Sequence, residues 1–166
     1  MSFCINQITN NKKQYIDLLL LADEQESMID RYLERGDMFA LEDNGIKAVC
    51  VVTDEKDGVC ELKNIAVTSE FQRQGYGKKL INHLLVHYAG KYTQMLVGTG
   101  DVPSTIGFYN SCGFKYSHRI ENFFTDNYDH PILEDGVLLK DMIYLVRNRR
   151  ALCEIPRRRM GTISYR

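Results

Sequence analysis

Val67-Thr68-Ser69-Glu70-Phe71-Gln72-Arg73-Gln74-Gly75-Tyr76-Gly77-Lys78-Lys79-Leu80, continuing to Leu85, joins two kinds of pattern. Upstream, Val59 to Val67 is an apolar, β-branched run that reads as a strand. Downstream, Leu80, Ile81, Leu84, Leu85 and Tyr88 recur at helical spacing, so the helix has one buried face and a fixed direction. The order is strand, glycine turn, helix. The first four N–H groups of a helix have no partner within it, and the peptide dipoles leave partial positive charge there. Gly75 and Gly77 clear side chains from those amides, and Arg73, Lys78 and Lys79 add mobile charge. The junction is therefore a place to hold a pyrophosphate.

Two familiar phosphate loops are excluded. Gly75-x-Gly77 followed by Lys78, Lys79 and Leu80 is neither GxxxxGK[ST] nor GxGxxG. The segment instead resembles the Q/R-x-x-G-x-G/A signature of the GCN5-related N-acetyltransferase (GNAT) superfamily. A second hallmark of that superfamily lies downstream. Phe108-Tyr109-Asn110-Ser111-Cys112-Gly113-Phe114 is similar to its aromatic-Tyr-x-x-x-Gly-Phe segment, in which a helix ends at a glycine and a strand begins. The two motifs stand in the superfamily's order, and the resemblance covers roughly residues 1 to 146.

The 166 residues and 44% hydrophobic content suit one core. No run is apolar for the roughly 18 residues a membrane span needs. Five cysteines without a CxxC pair argue against a zinc site or disulfide framework and for free thiols in a reducing cytoplasm. No metal site is expected. Cys112 reads as a small apolar filler, with a nucleophile as the sharper alternative.

Along the chain, Phe3 to Thr9 reads as a strand, and Lys12 to Ala22 and Glu24 to Arg35 as helices, the second ending at Gly36. Strands at Met38–Glu42 and Ile46–Thr53 flank Asp43-Asn44-Gly45, a hairpin turn, and Asp54 to Gly58 turns into the strand that ends at Val67. A strand at Gln94–Thr99, a helix at Pro103–Ser111, and strands at Phe114–Ile120 and Met142–Val146 follow. Hairpins first and helix-separated strands later predict an α/β (mixed α+β) fold, a mixed sheet with helices on both faces.

The resemblance implies more. It gives a largely antiparallel sheet with one splayed parallel strand pair, the strands ending near Val67 and beginning near Gln94, between which the pantetheine arm of acetyl-coenzyme A lies. It implies that backbone groups of Ile65, Ala66 and Val67 bind the pantetheine amides, and that Gln72, Arg73, Gln74, Gly75, Tyr76, Gly77 and Lys78 line the pyrophosphate turn. Many members carry an Asn and an Ala ahead of the tyrosine; Asp101-Val102-Pro103-Ser104-Thr105 stands here, with Ser104 or Asn110 as substitute contacts.

Acyl transfer from a thioester to an amine needs a base, because an amine with a pKa near about 10.4 is protonated at neutral pH. It also needs an acid for the departing thiolate. The resemblance makes Tyr109 the acid. Glu61 is the base candidate: on an alternating strand it would share a face with Lys63, Ile65 and Val67, and it stands six residues before Val67, where the superfamily's histone acetyltransferases place their glutamate. A surface ion pair with Lys63 is the other reading of Glu61.

Glu121 to Leu139 falls where the superfamily builds its acceptor wall. It reads either as carboxylates and aromatics (Phe123, Phe124, Asp126, Tyr128, Asp129, Glu134, Asp135) for a cationic amine, or as a solvated loop with buried rings. His130 before Pro131 reads as structural. Residues 147–166 hold seven arginines against the single Glu154, a charge of +6, so within the net −1 the remaining body carries −7. An acidic body steers cations and disfavours nucleic acid. The basic tail reads as an unstructured arm, a contact between copies in a homodimer, or an appended extension. The expectation is a cytoplasmic N-acetyltransferase domain over residues 1–146, using acetyl-coenzyme A and a small-molecule or peptide amine. A non-catalytic acyl-coenzyme A sensor or interaction module is the alternative.

Overall fold

The computed structural model describes residues 2–148; most of the basic tail, with Cys153, lies outside the described residues. The elements run β1 (Cys4–Ile8), a 3-10 turn (Lys12–Tyr15) continuing into α1 (Ile16–Ala22), α2 (Glu26–Ile29), β2 (Asp37–Glu42), β3 (Ile46–Asp54) and β4 (Val59–Val67). Then come α3 (Tyr76–His87), β5 (Gln94–Gly100), α4 (Pro103–Ser111), β6 (Lys115–Ile120), α5 (Phe123–Asn127), β7 (Leu133–Glu134), β8 (Val137–Leu138) and β9 (Met142–Asn148).

The main sheet has the order β1-β2-β3-β4-β5-β9-β6. Every neighbouring pair is antiparallel except β4 and β5, which are parallel. Two cores cover its faces. One holds Leu80, Ile81 and Leu84 of α3 and Tyr109 of α4 against Cys50, Leu62 and Val97. The other holds Leu19 of α1 and Ile29 of α2 against Met38, Val49 and Val51. The mixed sheet with helices on both faces is thus observed. Fully burying each α3 leucine or isoleucine contributes about 1.5–3 kcal/mol, which anchors the helix and aims its N-terminus.

The parallel pair is short. Its register runs from Val59 opposite Gln94 to Leu62 opposite Val97 and stops, while β4 continues to Val67 and β5 to Gly100. A β-bulge lies where the pairing ends: Val51 faces Asn64 and Val52 faces Leu62, leaving Lys63 without a partner on β3. An extra residue bends and twists its strand, so the bulge turns β4 away from β5 and opens the splay.

The bulge also overturns the face expected for Glu61. Strict alternation would put Glu61 with Ile65 and Val67, but the extra residue reverses parity at Lys63. Glu61 pairs with Thr53 on the α1 side, whereas Ile65 and Val67 pack toward α3.

Two helices are shorter than the periodicity predicts. Lys12–Ala22 begins as a 3-10 turn, and Glu24–Arg35 is α-helical only over Glu26–Ile29. Beyond Ile29 the regular ladder breaks into a mixture of i→i−3 bonds, Arg31 N–H to Met28 O and Tyr32 N–H to Ile29 O, and i→i−4 bonds, Leu33 N–H to Ile29 O and Gly36 N–H to Tyr32 O. The buried Lys12 ammonium takes over there, donating to the carbonyls of Leu33 (3.0 Å), Glu34 (3.2 Å) and Gly36 (2.6 Å). Hydrogen bonds to a charged group are worth about 1.5–3 kcal/mol each, so Lys12→Met should destabilise the chain by about 2–4 kcal/mol. Urea unfolding checks this, and an unmoved midpoint refutes it.

The connection from Glu121 to Leu139 is not a plain loop. It contains α5 and the small β7–β8 hairpin, which turns on Asp135 (φ 47°) and Gly136 (φ 76°). Asp-Gly is a hairpin signal of the kind at Asn44-Gly45, and it folds part of the expected loop into paired strands. Among the described residues no helix is long and apolar enough to cross a membrane.

Candidate active site

Three adjoining cavities follow the splay through the sheet. The first, about 420 Å³, lies before the start of α3 and is walled by Arg73, Gly75, Gly77, Lys78, Ser104 and Phe108. The second, about 250 Å³, fills the splay and shares Ile65, Val67, Gln72, Thr105, Tyr109 and Glu134 with the first. The third, about 190 Å³, opens on the α1–α2 side and meets the second at Leu62, Lys63 and Gly98.

The start of α3 is built to receive an anion. Gly75 is the N-cap at φ 88°, and among the described residues no side chain caps the helix. The Lys79 N–H reaches the Gly75 carbonyl at 3.0 Å, leaving the amides of Tyr76, Gly77 and Lys78 without helical partners. Arg73 is also left-handed, at φ 61°. The two glycines have different jobs. A Cβ on Gly75 would meet nothing within 4 Å, so this glycine serves the backbone angle and leaves the space ahead clear. A Cβ on Gly77 would lie 3.2 Å from Phe108 Cζ, so this glycine lets α3 close onto α4.

The second motif resolves into a helix stop. Gly113, at φ 87°, donates to the Asn110 carbonyl (3.0 Å) and Phe114 donates to the Tyr109 carbonyl (3.1 Å), the paired bonds of a Schellman cap. The Phe114 ring packs on Tyr109, centroids 5.9 Å apart. That cap holds Tyr109 where the first and second cavities meet. Tyr109 is buried but lines both cavities, and its hydroxyl makes no hydrogen bond among the described residues. Burial, reinforced by the charge of Glu134, pushes its pKa well above the usual phenol value, so the O–H is held as a donor.

Glu61 lines the third cavity. Its carboxylate pairs with Lys63 Nζ at 2.9 Å and accepts the Tyr144 hydroxyl at 2.9 Å, so the ion pair read from the sequence exists, but buried.

Most of the residues expected to bind cofactor converge on the first two cavities: Ile65, Ala66, Val67, Gln72, Arg73, Gly75, Tyr76, Gly77 and Lys78. The Gln72 amide donates to the Val67 carbonyl at 3.2 Å. Two do not converge. Asn110 is exposed on the far side of α4, with its carbonyl spent in the cap, and the Gln74 side chain bonds back to the Glu70 carbonyl. Ser104, the other substitute, does line the first cavity.

Of the long connection, Phe123 and Tyr128 reach the third cavity and Glu134 the first two, whereas Asp126 and Asp129 line none of the three. His130 is exposed and pairs with Asp129 at 2.5 Å. Burial raises the Cys112 thiol pKa, which suits filler rather than nucleophile.

Thr105 and Glu134 were not foreseen as a pair. Thr105 donates to Glu134 at 3.0 Å across a separation in sequence that hides the contact. Gly98 and Gly100 were also missed, although glycine inside a strand signals close approach. A Cβ on Gly98 would lie 3.1 Å from Tyr144 Cζ, and one on Gly100 would lie 2.5 Å from Leu139 Cδ2.

A model of the acetyltransferase (GNAT) domain matches residues 34–116. The uncharacterised N-acetyltransferase YvbK of Bacillus subtilis (strain 168) is 33% identical over 132 residues, 78% of this chain and 85% of its own length. The ribosomal protein bS18-alanine N-acetyltransferase of Escherichia coli (strain K12) is 32% identical over 108 residues, 63% of this chain and 70% of its own length. A GNAT family acetyltransferase from Elizabethkingia anophelis, solved with acetyl-CoA bound, matches with a TM-score of 0.83 and 34% identity over 88% of this chain and 97% of that one.

Proposed function

Because the chain belongs to the GNAT family of acetyltransferases, we propose that it transfers the acetyl group of acetyl-coenzyme A to a primary amine of a small molecule or peptide, in a ternary complex. The observation that carries this reading is the line of cavities from an uncapped helix N-terminus through a splayed strand pair to the opposite face of the sheet.

The residues fit such a donor. Arg73, Lys78 and the free amides at the start of α3 hold the pyrophosphate, and the unpaired edge at Ile65, Ala66 and Val67 meets the pantetheine amides. Acetyl-coenzyme A supplies an activated thioester carbonyl. The amine enters through the third cavity, and Glu61 takes the proton it must lose. Tyr109 gives its proton to the departing sulfur as the carbon–sulfur bond breaks. The buried, unbridged Cys50, Cys60 and Cys112 suit a cytoplasmic setting.

A thiol-release screen over polyamines, aminoglycosides, amino acids and lysine peptides tests the reading, with calorimetry of coenzyme A alongside. Release with some acceptor supports it. Tight coenzyme A binding without release from any amine favours the sensor, and absence of binding overturns both. Glu61→Gln should lower kcat/KM for an alkylamine by about 10²-fold or more, the usual scale of general base assistance. Hydroxylamine, unprotonated at neutral pH, should lose far less. Equal losses for the two acceptors would remove Glu61 from the role.

A further inference from the structure

The third cavity contains five charged side chains: Asp23, Arg31, Arg35, Glu61 and Lys63. Three of them are already neutralised. Glu61 pairs with Lys63 at 2.9 Å, and Arg35 pairs with Glu55 at 3.1 Å; Glu55 also lies 3.8 Å from Lys63. Two charges remain. Among the described residues Asp23 pairs with no cation and Arg31 with no anion.

Asp23 is nonetheless held in place. One carboxylate oxygen accepts the Tyr128 hydroxyl at 2.7 Å and the other accepts the Tyr32 hydroxyl at 3.1 Å. Tyr32 is fixed in turn by the Asn64 amide, which donates to it at 3.1 Å and to the Leu19 carbonyl at 3.0 Å. These contacts tie the carboxylate to β4 one residue beyond the bulge. Burial raises the carboxyl pKa, and the Tyr128 and Tyr32 hydroxyls, with a smaller contribution from the Arg31 charge, offset only part of that rise. Arg31 itself is exposed, on the turn that follows α2. An anion fixed by two phenols and an unpaired guanidinium thus face one small cavity.

Resting on the acetyltransfer reading above, we propose that the acceptor is an amino acid, its ammonium docked on Asp23 and its carboxylate on Arg31. Such a molecule makes a direct ion pair with both groups at once. A polyamine leaves Arg31 repelling it, and an amine without a carboxylate leaves Arg31 unused. Phe123, Met28 and Met142 supply an apolar wall for a side chain. The peptide amine of the broader reading is narrowed accordingly, because an internal peptide residue carries no carboxylate beside its amine.

Matched probes test this. Alanine, leucine, methionine and phenylalanine are compared with their carboxamides and with the corresponding decarboxylated amines, by thiol release and by calorimetry on the protein saturated with coenzyme A. At least one free amino acid should exceed its carboxamide by about 10-fold or more in kcat/KM, on the scale of a lost hydrogen bond to a charged group. Arg31→Ala should erase that preference, lowering kcat/KM for the free acids far more than for their carboxamides. Asp23→Asn should weaken both probes of each pair alike; since it changes a buried network, its unfolding midpoint is measured beside it. Carboxamides equal to or better than the free acids overturn the inference, as does a preference that survives Arg31→Ala. If no amino acid is turned over or bound while coenzyme A binds normally, the inference fails alone. Loss of coenzyme A binding itself would remove the reading beneath it.

Discussion

Gly75→Val should cost coenzyme A affinity more than any other single change: calorimetry should show a loss beyond about 100-fold, or about 3 kcal/mol. Two effects combine. Gly75 sits at φ 88°, a region where a β-branched residue is strained by about 1–2 kcal/mol. Its missing Cβ would also point into open space beside the free amides, where the pyrophosphate is proposed to lie. Gly75→Asn separates the two, because asparagine tolerates the left-handed region. Near-normal stability with poor binding locates the loss in the occupied space. Unchanged affinity in both variants would mean that the start of α3 does not hold the diphosphate.

Tyr109→Phe should lower kcat by about 10²- to 10⁴-fold, the range of acid assistance, while coenzyme A affinity stays within about 2-fold. The substitution is clean for a structural reason. The Tyr109 hydroxyl makes no hydrogen bond among the described residues, and its ring is held by Phe108, Phe114 and the cap at Gly113. Removing one oxygen therefore leaves no partner stranded and should not lower the unfolding midpoint. Rate and stability are then read independently. A variant of undiminished turnover would show that the sulfur leaves without this proton, and a large stability loss would show that the hydroxyl serves the core.

Glu61 marks the limit of pattern reading. Its residue type, its strand and its partner Lys63 were all legible, because strand periodicity and i,i+2 spacing are local. Its face was not. One unpaired residue reverses parity, and whether a strand takes up an extra residue depends on pairing with β3, a property of two segments together. Asn110 is a similar case. It belongs to a legible motif, yet the helix turn that aims Tyr109 into the splay turns Asn110 away from it.

From the sequence alone came the glycine-lined helix start, the helix stop at Gly113, the hairpin at Asn44-Gly45 and the mixed sheet. Each is encoded by near neighbours through backbone angles and side-chain periodicity. Only the tertiary structure brought Asp23, Tyr32, Asn64 and Tyr128 into one hydrogen-bonded set, placed Glu134 against Thr105, and left Arg31 in the cavity without an ion-pair partner among the described residues. Those relations depend on which charges pair and which faces meet once distant segments pack, and separation along the chain carries no record of that.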